Sequence, residues 1–153
     1  MLHLLGEDVT TTGNRWSAMA VTDVFFSAAR HIGYRVGVLT GPLAGTSETA
    51  CDVGFLVSGV NVPWGVPVGR VELRDDQRIV PGGLIYSPGT LVEISVLIDV
   101  GDGTVHLSVN GVDVPGVFPA NLTYLSQISG FAVTSNQAGV PCTFQNPVTF
   151  SLP

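Results

Sequence analysis

The sequence predicts an all-β fold made of antiparallel strands, and the clearest sign lies in residues 90–118. Apolar residues alternate with polar ones from Val92 to Val100, which is typical of a strand with one buried face. After a Gly-Asp-Gly turn the alternation resumes from Val105 to Val109, and Asn110-Gly111 is the strongest short signal for a tight hairpin. The stretch therefore predicts a three-stranded antiparallel meander.

The same alternation, bounded by turn residues, predicts further strands along the chain. Residues Val9 to Gly13 fit either a Thr-rich loop or an edge strand. The segment from Val21 to Ile32 has apolar residues at helical spacing, but its Phe25-Phe26 pair suits a strand, so both remain open. Asp75-Asp76-Gln77 marks the turn of a hairpin. The other predicted strands are Trp16–Val21, Ile32–Leu39, Asp52–Ser58, Val68–Arg74, Arg78–Val80, Leu84–Tyr86, Ser129–Thr134 and Thr143–Leu152.

The meander resembles the core of the concanavalin-like β-sandwiches, and that of the SPRY domains most of all. Those families share an aspartate-ended strand, a Gly-rich turn, a strand that ends in Asn-Gly, and a Gly-x-Phe sequence. Here these are Ile98-Asp99, Gly101–Gly103, Asn110-Gly111 and Gly116-Val117-Phe118, and Gly33–Val38 is similar to an earlier SPRY strand. The resemblance implies a two-layer antiparallel β-sandwich of the jelly-roll type, and it favours a strand for Val21–Ile32.

Length and charge limit the classes of protein to consider. With 153 residues the chain suits one domain, residues 1–153, and its sequence contains no internal repeat and no linker. Charged residues are only 12% of the total, and all six basic residues are arginines. The formal net charge of -6, without a basic cluster, argues against binding to a nucleic acid backbone.

The carboxyl-terminal segment carries no charge. The last charged residue is Asp113, so the forty residues from Val114 to Pro153 are neutral. Exposed strands of free domains usually carry charges, which protect sheet edges from unwanted pairing. The segment therefore indicates an assembly interface, with Phe131, Phe144 and Phe150 as its candidate residues. The other interpretation is that it consists of core strands and polar loops, and the sequence leaves the two open.

Targeting signals are not predicted. Residues 1–8 lack the positive charge of a signal peptide and reach acidic residues early, so we expect no export by that route. The apolar segment Val53 to Gly69 contains Asn61 and two prolines, so no membrane helix is predicted. Without export, Cys51 and Cys142 are expected to be reduced and separate, and chance explains the glycosylation sequon at Asn121.

We predict that the protein is not an enzyme. Some concanavalin-like folds are glucanases with carboxylates at alternate positions of one strand, because two acids must face one sugar bond. Here the alternate residues are Glu72, Arg74 and Asp76, so an arginine stands between the acids. The sequence also lacks a nucleophile elbow and a phosphate-binding Gly loop.

Metal and cofactor binding are not predicted either. His3, His31 and His106 are far apart and lack the short spacings of a zinc site. Asp99 and Asp102 offer only two carboxylates, whereas calcium takes roughly six to eight oxygen ligands. We interpret this pair as turn residues.

What remains is a binding or structural module. SPRY-like and lectin-like sandwiches bind partners through loops at one end, so by resemblance the candidate binding residues are Thr46, Ser47, Trp64, Asp75, Asp76 and Gln77. The scarcity of charge and the lack of lysine favour a virion component, such as a phage decoration, fibre or tail protein. We expect such a protein to be made in the host cytoplasm and to bind itself, other virion proteins or a host surface. The alternatives are a cytoplasmic SPRY-type adaptor that binds proteins and a lectin domain that binds a glycan.

Overall fold

A computed structural model describes residues 2–4, 9–11, 18–23, 29–43, 45, 48–57, 68–116, 118–119, 128–135 and 140–153. All regular structure in these ranges is β-strand, so the predicted all-β class is confirmed. They contain no helix that could span a membrane. In chain order the strands are β1 (Leu2–Leu4), β2 (Val9–Thr11), β3 (Ala18–Asp23), β4 (His31–Thr40), β5 (Thr49–Val57), β6 (Val68–Arg74), β7 (Arg78–Val80), β8 (Leu84–Ile85), β9 (Val92–Asp99), β10 (Thr104–Val109), β11 (Val112–Asp113), β12 (Phe118–Pro119), β13 (Ile128–Ser135) and β14 (Cys142–Leu152).

The strands form two antiparallel sheets that pack face to face, which confirms the predicted two-layer sandwich. The larger sheet has the order β1-β14-β4-β9-β10-β11, with β2 also paired to β14 and β12 also paired to β10. The smaller sheet has the order β3-β13-β5-β6-β7-β8. Many neighbouring strands are distant in the chain, so the fold depends on long-range pairing.

The predicted meander is present in the larger sheet as β9, β10 and β11. Its apolar positions, from Val92 to Ile98 and from Val105 to Val109, are buried at alternate residues as expected. Asn110 and Gly111 both have positive φ, at 53° and 79°, which a type I′ turn requires. Strands β9 and β10 thus bury one face against the core, whereas both residues of β11 are exposed.

For two segments, Val9–Gly13 and Val21–Ile32, the sequence did not decide the secondary structure. The structure shows strands in the described parts of both. Val9 begins strand β2 at the edge of the larger sheet. Within Val21–Ile32, β3 ends at Asp23 and β4 begins at His31, while residues 24–28 lie outside the described ranges. The sequence does not predict β1 and β12, because two or three residues are too few to show an alternation.

An aromatic group occupies the space between the sheets. The ring of Tyr34 lies 5.4 Å from that of Phe55 and 4.8 Å from that of Phe131, and Phe144 is also fully buried. The predicted assembly interface is therefore wrong for Phe131 and Phe144, because both side chains fill the core of one molecule. Phe150 is only partly buried, and its role in assembly stays a prediction.

Cys51 and Cys142 form a disulfide, so the prediction of reduced, separate thiols is wrong. Both residues are fully buried, Cys51 in β5 and Cys142 in β14, which belong to different sheets. Their Cα atoms are 6.0 Å apart, a distance that a disulfide spans. The cysteines are separated by 91 positions in the sequence, so only the packing of the sheets reveals that they meet.

Candidate functional site

Three charged side chains meet on the outer face of the smaller sheet, where β5 and β6 pair. Asp52 lies directly opposite Glu72, and Arg70 stands two residues before Glu72 on the same strand. Successive side chains of a strand point to opposite faces of the sheet. Because Cys51 and Val53 face the core, Asp52 faces away from it, and Arg70 and Glu72 share its face.

The guanidinium of Arg70 binds both carboxylates. Its Nε donates to Oδ2 of Asp52 at 2.7 Å, and its Nη2 donates to Oε1 of Glu72 at 3.0 Å. The hydroxyl of Thr49 also donates to Oε1 of Glu72. Hydrogen bonds between ionised groups are stronger than neutral ones, so these contacts hold the guanidinium in one orientation. We call these four residues, Thr49, Asp52, Arg70 and Glu72, the Arg70 cluster.

Within the cluster, Asp52 differs from its partners in exposure. Its side chain is fully buried, whereas those of Arg70 and Glu72 are 20% and 16% exposed. Its Oδ1 has no hydrogen-bond partner among the described residues. Burial raises the pKa of Asp52 to about 7, in spite of the opposing effect of Arg70. Asp52 is therefore a buried acid that titrates near neutral pH, and it binds the guanidinium of Arg70 on the buried side of that group.

A cavity of about 330 Å³ opens beside the cluster. Arg70 and Glu72 form its polar wall. The other described lining residues, which are largely apolar, are Gly69, Val80, Pro81, Val105 and Phe118. A few polar groups set among apolar side chains are typical of sites that bind small molecules. We call this site the Arg70 cavity.

The cavity lies where the edges of the two sheets face each other. In the described ranges Glu72 and Leu73 are the only residues of β6 that pair with β7, so the earlier residues of β6 have no described strand on that side. Phe118 of the larger sheet is paired with Val105 and lines the same cavity. Because β7 is short, the described part of the sheet leaves β6 uncovered beside Gly69 and Arg70, and the cavity lies there.

Of the binding residues predicted from the sequence, those that the structure describes, Asp75, Asp76 and Gln77, do not line the Arg70 cavity. Thr46, Ser47 and Trp64 lie outside the described residues. Asp75 is only 1% exposed, so its prediction as a surface binding residue is wrong: the turn directs its side chain inward while its N–H donates to the carbonyl of Glu48. Gln77 is exposed and has a positive φ of 67°, as a tight turn requires.

Asp76, at the β6–β7 turn, is held by neighbouring arginines. Oδ2 of Asp76 lies 2.6 Å from Nη2 of Arg78, and this hydrogen bond is the main reason why the pKa of Asp76 is lowered. Arg74 lies further off, with Nε 4.0 Å from Oδ1 of Asp76. Of the alternating acids considered for glucanase chemistry, only Glu72 lines the Arg70 cavity.

Asp99 and Asp102 act together in the β9–β10 turn. The backbone N–H of Asp102 donates to Oδ1 of Asp99, and this bond is the main cause of the lowered pKa of Asp99. Oδ2 of Asp99 lies 3.9 Å from Arg30 and 3.4 Å from His31. Within the described ranges, no group of three or more His, Cys, Asp or Glu side chains could hold a metal ion.

Sequence reasoning missed Asp52, Arg70 and Phe118 as site residues. Asp52 precedes the apolar Val53 and Arg70 precedes the apolar Val71 in predicted strands, so both could have been assigned to an outer face. The register of β5 against β6, which brings them together, is not visible in either strand alone.

No protein-family model and no curated protein sequence matches the chain. Among solved structures it is similar to a sialidase with a TM-score of 0.66 and 14% identity, and the likeness covers 98% of this chain but 16% of the sialidase. It is similar to alginate lyase Aly36B in complex with alginate trisaccharide (TM-score 0.59, 15% identity, 95% of this chain and 81% of the lyase). It is also similar to a tetrameric galectin from the ball sponge Cinachyrella sp. (TM-score 0.54, 14% identity, 86% of this chain and 99% of the galectin).

At these identities the likeness shows the fold alone. It confirms the expected lectin-like, concanavalin-like β-sandwich, whereas membership of the SPRY family stays a prediction. The similar structures include both a lectin and enzymes, so function has to be argued from the site.

Proposed function

We propose that the protein is a lectin-like module that binds a glycan in the Arg70 cavity. The observation that carries this proposal is the position of Arg70 and Glu72, which offer a donor and an acceptor on the wall of a cavity that is otherwise mainly apolar. A sugar presents hydroxyl groups at its rim and C–H groups on its faces. Arg70 and Glu72 are suited to the hydroxyls, and Phe118 and Pro81 to the C–H surface.

Preorganisation of Arg70 supports this role. A free arginine side chain loses conformational entropy when a ligand fixes it. Here Asp52 already holds Nε and Glu72 holds Nη2, so that cost is met in the unbound protein. Asp52 is fully buried and acts as a positioning residue for the guanidinium, which leaves the contacts with the glycan to Arg70 and Glu72.

The same contacts favour binding over cleavage. A glycosidase needs two carboxyl groups that both reach the scissile bond. In the Arg70 cluster one acid is buried and both bind a single guanidinium. We therefore propose a non-enzymatic site, in contrast to the alginate lyase of similar fold.

Glycan binding is tested by titration calorimetry with a panel of neutral and acidic mono- to tetrasaccharides. We expect saturable binding that falls about tenfold or more in Arg70→Gln and in Glu72→Gln, since each substitution removes a hydrogen bond to a charged group. Arg78→Gln is the matched control, because Arg78 is exposed and pairs with Asp76 away from the cavity lining. Unchanged affinity in both cavity variants, or no binding by any saccharide, would overturn the proposal.

Cleavage is tested on the same mixtures by mass spectrometry. The proposal requires every saccharide to be recovered intact after prolonged incubation. Products that form with the natural protein but not with Glu72→Gln would assign an enzymatic role to the cavity instead.

As a second candidate we propose a structural role in a phage virion. The neutral segment 114–153, apart from its core residues Phe131 and Phe144, supports it. So do the exposed apolar side chains of Ile85 on β8 and Val112 on β11, two strands at the ends of their sheets. The disulfide fits a particle that is released from the cytoplasm into oxidising surroundings.

Light scattering after size exclusion tests assembly. The virion role predicts a stable oligomer at micromolar concentration that Ile85→Lys dissociates, while the control Leu91→Lys, at another exposed apolar residue, leaves it intact. A monodisperse monomer of the natural protein would count against this role.

A further inference from the structure

A second cavity, of about 470 Å³, lies on the outer face of the larger sheet. It has no described lining residue in common with the Arg70 cavity. Its polar side chains come from three adjacent strands: Ser95 of β9 lies opposite Ser108 of β10, which lies opposite Asp113 of β11. In the neighbouring row, His106 lies opposite Leu97. We call this site the Ser108 cavity.

The polar groups of the Ser108 cavity are only partly used by the protein itself. The hydroxyl of Ser108 donates to Oδ1 of Asp113 at 2.7 Å. Among the described residues, the side chains of Ser95 and His106 form no hydrogen bond, and neither does Oδ2 of Asp113. Two hydroxyls, an imidazole and a carboxylate are therefore in place to donate and accept hydrogen bonds with a ligand rich in hydroxyl groups.

An apolar strip lies beside these polar groups. Leu97 lines the cavity, and its neighbour in the sheet is Gly33 of β4. The ring of Phe150 covers Gly33 so closely that a Cβ atom at that position would lie 2.6 Å from Cζ of the ring. The strip can contact the C–H face of a sugar ring, as apolar and aromatic side chains do in small-molecule sites.

The charge of the lining restricts the ligand. Asp113 is the one acidic residue among the described lining residues, and no lysine or arginine accompanies it. A phosphate, sulfate or carboxylate would meet the negative charge of Asp113 without a cation to balance it. The lining therefore suits an uncharged ligand.

From these contacts we infer that the Ser108 cavity is a second saccharide site, which binds a neutral pyranose. Ser95, Ser108 and Asp113 bind its hydroxyls, and Leu97 contacts its C–H face. The site goes beyond the glycan site proposed above, because it uses a different sheet and different residues. With two sites, one molecule can bind two sugar units of a branched glycan or of a glycan-coated surface, which raises its overall affinity.

The test is a titration of the ¹⁵N-labelled natural protein, followed by NMR, with the methyl pyranosides of glucose, galactose and mannose. We expect one sugar to shift the amide signals of Ser95, His106 and Asp113 in a saturable way. Ser108→Ala and Asp113→Asn are expected to weaken this binding about two- to tenfold. Ser87→Ala, at an exposed serine that is not among the lining residues of either cavity, is the matched control and is expected to bind like the natural protein.

Arg70→Gln separates the two sites. If the second site exists, the shifts around Ser108 persist in Arg70→Gln with the same affinity. If all three sugars leave those signals unchanged, or if Arg70→Gln abolishes them, the second site is refuted while the Arg70 cavity keeps its role. If Ser108→Ala weakens binding, while Arg70→Gln and Glu72→Gln both bind every saccharide of the calorimetric panel like the natural protein, the Arg70 cavity fails and the second site stands.

Discussion

Cys51 and Cys142 are bonded to each other across the core, so one covalent bond joins the two sheets of the sandwich. In the unfolded chain this bond closes a loop that spans most of the described strands from β5 to β14. Cross-linking of such distant residues reduces the conformational freedom of the unfolded chain and so stabilises the folded state.

Removal of the disulfide is expected to lower the free energy of unfolding by about 4.6 kcal/mol, as the chain-entropy relation gives for a loop of this size. The Cys51→Ala/Cys142→Ala variant and the reduced natural protein should both show this lower free energy of unfolding in urea denaturation. The control is a reductant added to the double variant, which should leave its midpoint unchanged. A natural protein whose midpoint does not respond to reductant would contradict the prediction.

Asp52 is expected to make stability depend on pH. Because burial raises its pKa from the usual 3.8 to about 7, the folded state keeps a proton that the unfolded chain releases between these values. The contribution of Asp52 to the stability of the folded state is therefore fully present below about pH 4 and is lost as the pH rises to about 7. The side chain of Asp52→Asn cannot ionise. As the pH rises through this range, the free energy of unfolding of the variant should therefore increase by roughly 2–4 kcal/mol relative to that of the natural protein. Denaturation of both proteins from pH 4 to pH 8 measures the difference.

Asp76→Asn serves as the control with the opposite sign. The pKa of Asp76 is lowered by its hydrogen bond to Arg78, so its contribution is present above the ordinary aspartate pKa and is lost as the pH falls. The variant should be slightly less stable than the natural protein at neutral pH and equal to it in strong acid. A difference between Asp52→Asn and the natural protein that stays constant with pH would refute the assignment for Asp52.

Tyr34 contributes a buried hydrogen bond between the sheets. Its hydroxyl donates to the carbonyl of Gly69, and burial raises its pKa well above the ordinary tyrosine value. Tyr34→Phe leaves that carbonyl without its partner in the core, which is expected to cost about 1–3 kcal/mol. Tyr86→Phe is the matched control, because the hydroxyl of Tyr86 donates to the carbonyl of Arg74 at a less buried place and should cost less. Equal losses in the two variants would count against the burial argument.

Gly33 allows β4 to lie close to its neighbours. A Cβ atom at this position would be 2.1 Å from the carbonyl oxygen of Val96 and 2.6 Å from the ring of Phe150. Gly33→Ala is therefore expected to destabilise the protein by about 3 kcal/mol or more, because backbone atoms must shift. Gly101→Ala, at an exposed turn where the nearest atom lies 3.3 Å away, should change the melting temperature far less. A Gly33→Ala variant that melts like Gly101→Ala would disprove the close approach.

Much of the architecture is readable in the sequence because strand structure is encoded locally. The alternation from Val92 to Val109, the Asn110-Gly111 turn and the hairpin around Gln77 are all found where the pattern predicts them. Each depends on residues that are close together in the chain. Alternating side chains set which face of a strand is buried, and residues that accept a positive φ set the turns.

The sequence by itself determined the fold class, the positions of most strands and the buried faces of β9 and β10. The tertiary structure alone decided that Cys51 meets Cys142, that Asp52 and Glu72 share Arg70, and that Phe131 and Phe144 are core residues. The physical reason is that alternation depends on neighbours along one strand. Contacts across β5, β6 and β14 depend instead on the register of strands that are far apart in the chain, and on how the two sheets close over their common core.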